Sequence, residues 1–576
     1  MASFKLISLK DFIPRTFEIF SRGENGYSWK SFGRDSLAGL IVGIVALPLA
    51  MAFSIAAGGT PAQGLYTAII AGFCISALGG SKFQIGGPTG AFVVIIYGVI
   101  TKHGMAGLIA ATVLAGLMLI AMGASGLGRF IKYIPYPVTT GFTTGIGVLI
   151  FSQQVKDFLG LDIARSSPGF FAEWSEYFAA VRTINPVTVC VGVGAMAIII
   201  LLRRFIPRIP GAAAGVLVLT LVCVFFSLPV DTIGSRFGGI PSTLPVPHIP
   251  PISWTIVRDV FPDAFTIALL AAIESLLSAV VADGMTGDRH NSNTELMAQG
   301  IGNIASAIFG GIPATGAIAR TAANIKSGAV SPIAGIVHSI TLVLFILLLA
   351  PAAAAIPLAS LSAVLMVVSW DMSNVPRFIR IIKTAPKSDA IVLITTFALT
   401  IAFDLTFAVE VGVVLAIFLF LRRMVELGTI KSENDELIAE LAYGDIENRV
   451  VAADSIKALH QKDIEVYKID GPFFFGVADT LQNILRSVAK KPRAFILRMK
   501  DVPAIDSTGI AALESFLFQC RRSKVRLIIS EIREQPQKAL DKAGFIEEIG
   551  AVNIRETLDD ALIHAGPRRE EVLHEN

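Results

Sequence analysis

The sequence predicts a polytopic α-helical membrane protein of about fourteen segments in a seven-plus-seven inverted repeat with two short broken helices, followed by a cytoplasmic α/β domain. Three observations predict it. Charge is depleted in one part of the chain only, the apolar runs there have spanning length, and two short glycine- and proline-broken segments recur at matching positions.

Only 16% of the 576 residues are charged and 53% are hydrophobic, with a mean hydropathy of +0.67. Soluble domains carry about 25% charged residues. The deficit runs from Asp35 to about Arg422, after which charge returns. This predicts a cytoplasmic N-terminal segment (1–34), a transmembrane domain (35–424), a charged linker (425–460), a soluble domain (461–566) and a short tail (567–576). A net charge of +3 without a basic stripe argues against nucleic acid. Cys74, Cys190, Cys223 and Cys520 lack ligand spacing and read as small apolar residues. No apolar run precedes Asp35, so a cleaved leader is not expected.

A helix needs about 20 apolar residues to cross a bilayer. Such runs occupy 36–57, 62–79, 104–124, 137–157, 186–206, 211–229, 259–282 and 330–356, with further spans at 294–309 and 357–370. The run 388–421 is too long for one span, and Asp404 and Glu410 divide it into two. The short segments 86–100 and 313–327 complete the set. With the N-terminus inside, roughly twenty loop lysines and arginines fall on the cytoplasmic side and about six outside, the bias of an even-numbered membrane protein with both termini in the cytoplasm. Segments 158–185 and 230–258 are the larger outside loops, the second extended because of its prolines.

The two short segments read Gly86-Gly87-Pro88-Thr89-Gly90-Ala91 and Gly311-Ile312-Pro313-Ala314-Thr315-Gly316. Each follows the start of a long span, near Asp35 and near Val260, by about fifty residues. An odd number of spans per half inverts the second half. Paired broken helices of this kind mark a transporter's binding site, and their free N–H groups and positive dipole ends suit an anion. The alternative is close packing of small residues. Ionisable residues within spans are functional candidates. Glu274, mid-span, can take up and give back a proton. Arg320, in the second short helix, can add positive charge to the site, or form a static bridge with Glu274. Asp283-Gly284-Met285-Thr286-Gly287, with Asp288, Arg289 and His290, reads as a capped cytoplasmic loop.

No phosphate-binding loop, zinc-protease motif or nucleophile elbow occurs, and the seven histidines are scattered, so neither an enzyme, a cofactor nor a metal is expected. Without an ATP site, transport must run on gradients. In the tail, strands at 464–469, 494–499 and 525–530 alternate with helical patterns at 477–489, 508–522 and 533–542. Asp506 is placed to cap the second helix.

Several stretches together resemble the sulfate permease (SulP) anion transporters with a C-terminal STAS domain. They are Gln63-Gly64-Leu65-Tyr66-Thr67, the two broken helices, Ala272-Ile273-Glu274-Ser275, Asp283-Gly284-Met285-Thr286-Gly287 with His290 and Asn293, and Asp506-Ser507-Thr508-Gly509. The resemblance covers about Asp35 to Ala565. It implies a core that moves against a gate, and an anion bound near Phe53, Thr89, Gly90, Ala91, Thr315, Ala319 and Arg320. It implies Glu274 as the residue that couples a proton (or sodium) to the anion, and a homodimer in a bacterial inner membrane. Ser507 matches a serine phosphorylated in bacterial anti-sigma-factor antagonists, and the STAS domain is expected to meet a cytoplasmic protein partner. Many members carry glutamine after the first-span proline, where this chain has Leu49. The run Leu49-Ala50-Met51-Ala52 looks like members that take up C4-dicarboxylates, which are therefore expected slightly ahead of sulfate, with bicarbonate behind. A passive anion channel and a sensor that scaffolds STAS partners are the rival expectations.

Overall fold

The computed structural model describes residues 13–17, 27–129, 135–163, 169–206, 209–248, 253–403, 405–427, 429–435, 437, 463–474, 481 and 491–566. The chain divides into two compact units, 1–416 and 417–576.

The first half of unit one contains α1 (Trp29–Ala56), α2 (Pro61–Leu78), β1 (Gly86–Gly87), α3 (Gly90–Ala124), α4 (Tyr136–Leu159), α5 (Phe170–Ala179), α6 (Pro186–Phe205) and α7 (Gly211–Phe225). The second contains α8 (Trp254–Thr286), α9 (Ser292–Ile308), β2 (Thr315–Gly316), α10 (Ile318–Lys326), α11 (Ile333–Ala353), α12 (Leu358–Ser373), α13 (Val375–Thr384), α14 (Lys387–Ala402) and the start of α15 (Leu405–Leu427), whose later turns belong to unit two. Among the described residues seven helices are long and apolar enough to cross a membrane, α12 and α13 counting together. The rest of the expected set is made up of helices outside those seven, among them α4 and α15 with 24 and 23 residues, and of the two broken segments.

Local chemistry sets the boundaries. Thr60 and Gln63 form a reciprocal cap at the start of α2, with Pro61 at the first helical position. Asn291 accepts from the backbone N–H groups of Asn293 and Thr294 to open α9. Gly287, with φ +74°, ends α8 in the left-handed conformation. Gly104, at φ +68° and ψ −173°, is not helical and divides α3 into two helical pieces, where two separate segments were expected.

Three expectations need correction. Asp283–Thr286 belong to the last turn of α8, not to a loop, because Gly287 is where the chain first turns; the Asp283 carboxylate then accepts from the His290 backbone N–H. The segment 158–185, expected as an outside loop, contains the amphipathic α5. The division of 388–421 falls between Ala402 and Leu405; Glu410 lies inside α15, and Asp404 is outside the described residues.

The two halves interlock. On α2 the Thr67 hydroxyl accepts from the Ile312 backbone N–H at 2.7 Å, gripping the loop before β2. On α9 the Glu295 carboxylate accepts from the Gly80 and Ser81 N–H groups at 2.9 and 3.1 Å, gripping the loop before β1. At the start of α1 the buried Asp35 carboxylate accepts from Tyr27, from the N–H groups of Val330 and Ser331, and from the Ser331 hydroxyl. Each half thus holds the other's connecting loops, satisfying backbone groups that water cannot reach.

Unit two is a five-stranded sheet in the order β3 (Thr429–Ser432), β4 (Ile464–Asp470), β5 (Ala494–Asp501), β6 (Arg526–Ser530), β7 (Ile554–Arg555). β3 pairs antiparallel to β4 and the other pairs are parallel. The helices α16 (Ser507–Arg522), α17 (Glu534–Lys542) and α18 (Leu558–Ala565) accompany it. β3 lies within the stretch expected as a charged linker, so that stretch contributes an edge strand to the sheet. The helix expected at 477–489 lies outside the described residues, apart from Leu481.

Candidate anion site

β1 and β2 cross as a two-residue antiparallel pair, Gly86 opposite Gly316 and Gly87 opposite Thr315. Each strand leads into a helix whose first residue stands a few positions on: Gly90 for α3 and Ile318 for α10. The crossing is held from several sides. The Ser275 hydroxyl accepts from the Gly316 N–H and meets the Thr315 hydroxyl at 2.7 Å. Asn303 bonds both backbone groups of Ala314, at 2.8 and 2.9 Å. Thr321 accepts from the Ile85 N–H, and Asn324 donates to the Phe83 carbonyl.

Neither helix is capped by a side chain. Thr89 stands at the cap position of α3, yet its hydroxyl makes no bond to the helix; it donates instead to the Glu274 carboxylate at 3.2 Å. Ala317 opens α10 and has no side chain able to cap it. The first N–H groups of both helices are therefore left for another acceptor, and both positive dipole ends meet at the crossing.

Arg320 supplies a full charge. It is buried, donates to the Pro88 carbonyl, and its Nη1 has no partner in the protein. Gly87 makes room for it: φ is +145°, and a Cβ there would sit 2.6 Å from Nη1. Arg320 and Glu274 do not pair with each other. They hold adjacent residues, Pro88 and Thr89, from two different helices. Glu274 is half-buried, and an accessible stripe continues from it through Leu277 and Val281.

The structure brings some of the expected site residues close to one another. Phe53, Gly90 and Met372 converge: a Cβ on Gly90 would meet the Met372 sulfur at 2.8 Å, Ile150 Cδ1 at 3.1 Å and Phe53 Cε1 at 3.2 Å. Ala91 is buried and Ala319 exposed. The Thr315 hydroxyl is committed to Ser275 and the Ala271 carbonyl, so this side chain braces the strand while its backbone borders the site. Sequence reasoning missed Ile150 and Met372, which come from α4 and α12 and carry no motif. It also missed Asn303 and Thr321, whose polar positions in an apolar helix and a short helix were the available signal. In unit two, Ser507 is exposed at the first position of α16, beside Asp506, which accepts from the Gly509 N–H at 2.8 Å. Among the described residues no three or more His, Cys, Asp or Glu side chains are grouped to hold a metal.

Interlocked helical halves with two uncapped helix ends and a buried arginine at their crossing define a membrane transporter for anions. The profile of the sulfate permease family matches residues 32–396 and that of the STAS domain residues 455–561, and the chain belongs to the sulfate permease family. It is 42% identical to YvdB of Bacillus subtilis, named as a candidate sulfate transporter, over 92% of this chain and 97% of that one. It is 28% identical to the bicarbonate transporter BicA of Picosynechococcus, over 94% and 96% of the two chains. The murine Slc26a9 anion transporter shares the fold, with a TM-score of 0.82 at 18% identity, over 98% of this chain and 96% of that one.

Proposed function

We propose that this anion transporter is a proton-coupled carrier of a small oxyanion, of the sulfate or bicarbonate class, in a bacterial inner membrane. The observation that carries the reading is the pair of uncapped helix ends beside the unpartnered Nη1 of Arg320. Backbone N–H groups and a guanidinium recognise oxyanions by charge and by hydrogen bonds to several oxygens at once. The names of the relatives favour sulfate and bicarbonate. C4-dicarboxylates, suggested by Leu49-Ala50-Met51-Ala52, share the carboxylate chemistry and form the other arm of the test.

In this scheme Glu274 is the coupling group. Ionised, it accepts from Thr89, the residue at the mouth of α3. A proton on Glu274 removes one negative charge beside the anion site, so anion and proton bind together more readily than either alone. The crossing strands and their two helices move as one body against α4 and α12, whose Ile150 and Met372 cover Gly90. Both termini face the cytoplasm, the protein is a homodimer, and unit two regulates transport through a cytoplasmic partner, with Ser507 as its modifiable residue. Sodium in place of the proton is an outcome of the same test.

The test is uptake of labelled sulfate, bicarbonate and succinate by the full-length protein in liposomes, with and without inward proton and sodium gradients. Accumulation of one anion driven by the proton gradient is expected. Flux that only equilibrates, without counterflow, would make the protein a channel and sink the carrier reading.

A further inference from the structure

Behind the crossing lies a group that the scheme above does not use. His338, on α11, is fully buried; the Val42 backbone on α1 approaches its ring, but neither ring nitrogen makes a well-formed hydrogen bond in the protein. A neutral imidazole offers one donor and one acceptor, and burying them without well-formed hydrogen bonds is costly. Native proteins keep few such groups, and each calls for an explanation.

Its surroundings point to one. Gly72 on α2 is packed between the ring and the crossing: a Cβ there would lie 3.8 Å from His338 Cδ2 and 3.2 Å from the Gly86 carbonyl oxygen of β1. The next residue, Gly87, abuts Arg320 Nη1, the other buried nitrogen without a partner. The ring and the guanidinium thus flank the same strand of small residues. The elements packed on α11 supply little charge to offset that of Arg320. α1 carries Lys30, Arg34 and Asp35 at its start, with Asp35 committed to Tyr27, Val330 and Ser331. α2 carries only Tyr66 and Cys74.

We propose that His338 is a positioning residue that acts through Arg320, so that an anion arriving at Arg320 allows the imidazole to take a proton from bulk water. Two positive charges do not sit together in a low-dielectric interior unless a negative charge joins them. The anion is that charge. Binding of anion and proton are then linked, and linkage is reciprocal: each promotes the other. The inference rests on the crossing being the anion site, and it gives the carrier a second proton-sensitive group beside Glu274.

The experiment uses full-length protein in detergent, in weak buffer near neutral pH, with labelled sulfate and labelled succinate as probes. Bound anion is counted by dialysis and proton uptake by a pH dye. Wild type should take up protons in step with bound anion. H338N and H338Q should still bind the anion, with proton uptake per anion reduced by about half. Unchanged uptake per anion in folded variants would overturn the inference while leaving the anion site standing. Should both variants fail to fold, E274Q decides. Its anion affinity should still rise as the pH falls from ~8 to ~6, across the range in which imidazoles titrate; a flat profile overturns the inference. A wild-type protein that binds neither probe would bring down the site reading itself, and this inference with it.

Discussion

Arg320 and Glu274 govern one short hinge, Pro88–Thr89, without touching each other, and this makes their removal distinguishable. Replacing Arg320 by alanine deletes the only full positive charge at the crossing among the described residues and leaves the Pro88 carbonyl without its donor. Anion uptake should fall by at least about tenfold at all pH values, since a charge-assisted hydrogen bond is worth about 1.5–3 kcal/mol. Replacing Glu274 by glutamine keeps a partner for Thr89 and removes only the titratable charge. Uptake should then lose the part of its response to the proton gradient that Glu274 carries while anion binding persists, and a variant that keeps full gradient-driven accumulation would exclude Glu274 as the coupler. Gly87→Ala tests the geometry instead. The new methyl group would press on Arg320 and force φ +145° on an L-residue, so binding should be lost while the helical fold remains measurable by circular dichroism.

Among the elements, the loop clamps and the helix α5 carry the clearest expectations. Asn303→Ala would leave both backbone groups of Ala314 without partners in a buried position, at about 1–3 kcal/mol for each. A thermal shift assay in detergent should show the loss. On α5, Glu173 is almost fully buried; burial, with Glu176 adding to it, pushes its carboxyl up to about 7. The folded-state value lies above the usual carboxylate range, so the protonated form is the one that fits. This segment is most stable at low pH and loses stability as the pH rises through about 7. Glu173→Gln should remove that part of the pH dependence, which hydrogen exchange over 169–179 would detect. Long apolar helices and the paired broken segments were legible because span length and glycine–proline punctuation are local properties. β3 was not, since a four-residue edge strand such as Thr429–Ser432 has too short a pattern to stand out from a charged connector. The approach of Met372 and Ile150 to Gly90 was equally hidden, because two ordinary apolar side chains in separate spans acquire meaning only from packing.

At the scale of the whole molecule, the membrane unit and the sheet unit are separately cored. Within the sheet unit, Arg498 lies between Glu531 and Glu433. Arg498→Met would leave two carboxylates facing each other without their cation, and the melting transition of unit two should drop by several degrees while anion binding by the membrane unit is kept. The order of segments and the existence of two units could be read from composition. A role for Ser507 could not, because Ser507 and its neighbours form an ordinary helix start that would look the same with or without a regulatory protein.

The mutual grip of the two halves also has a bearing on biogenesis. Glu295 secures the loop ahead of Gly86, and Thr67 secures the loop ahead of Thr315, so neither half of the crossing can be finished by its own portion of the chain. While the ribosome is still upstream of Gly316, the nascent protein holds a glycine-rich segment at membrane depth whose backbone has no strand to pair with. Synthesis of the second half is what closes it. A polypeptide released before that point would be a substrate for quality control rather than a half-transporter, and two separately encoded halves would have to meet in the membrane before either could bind anything.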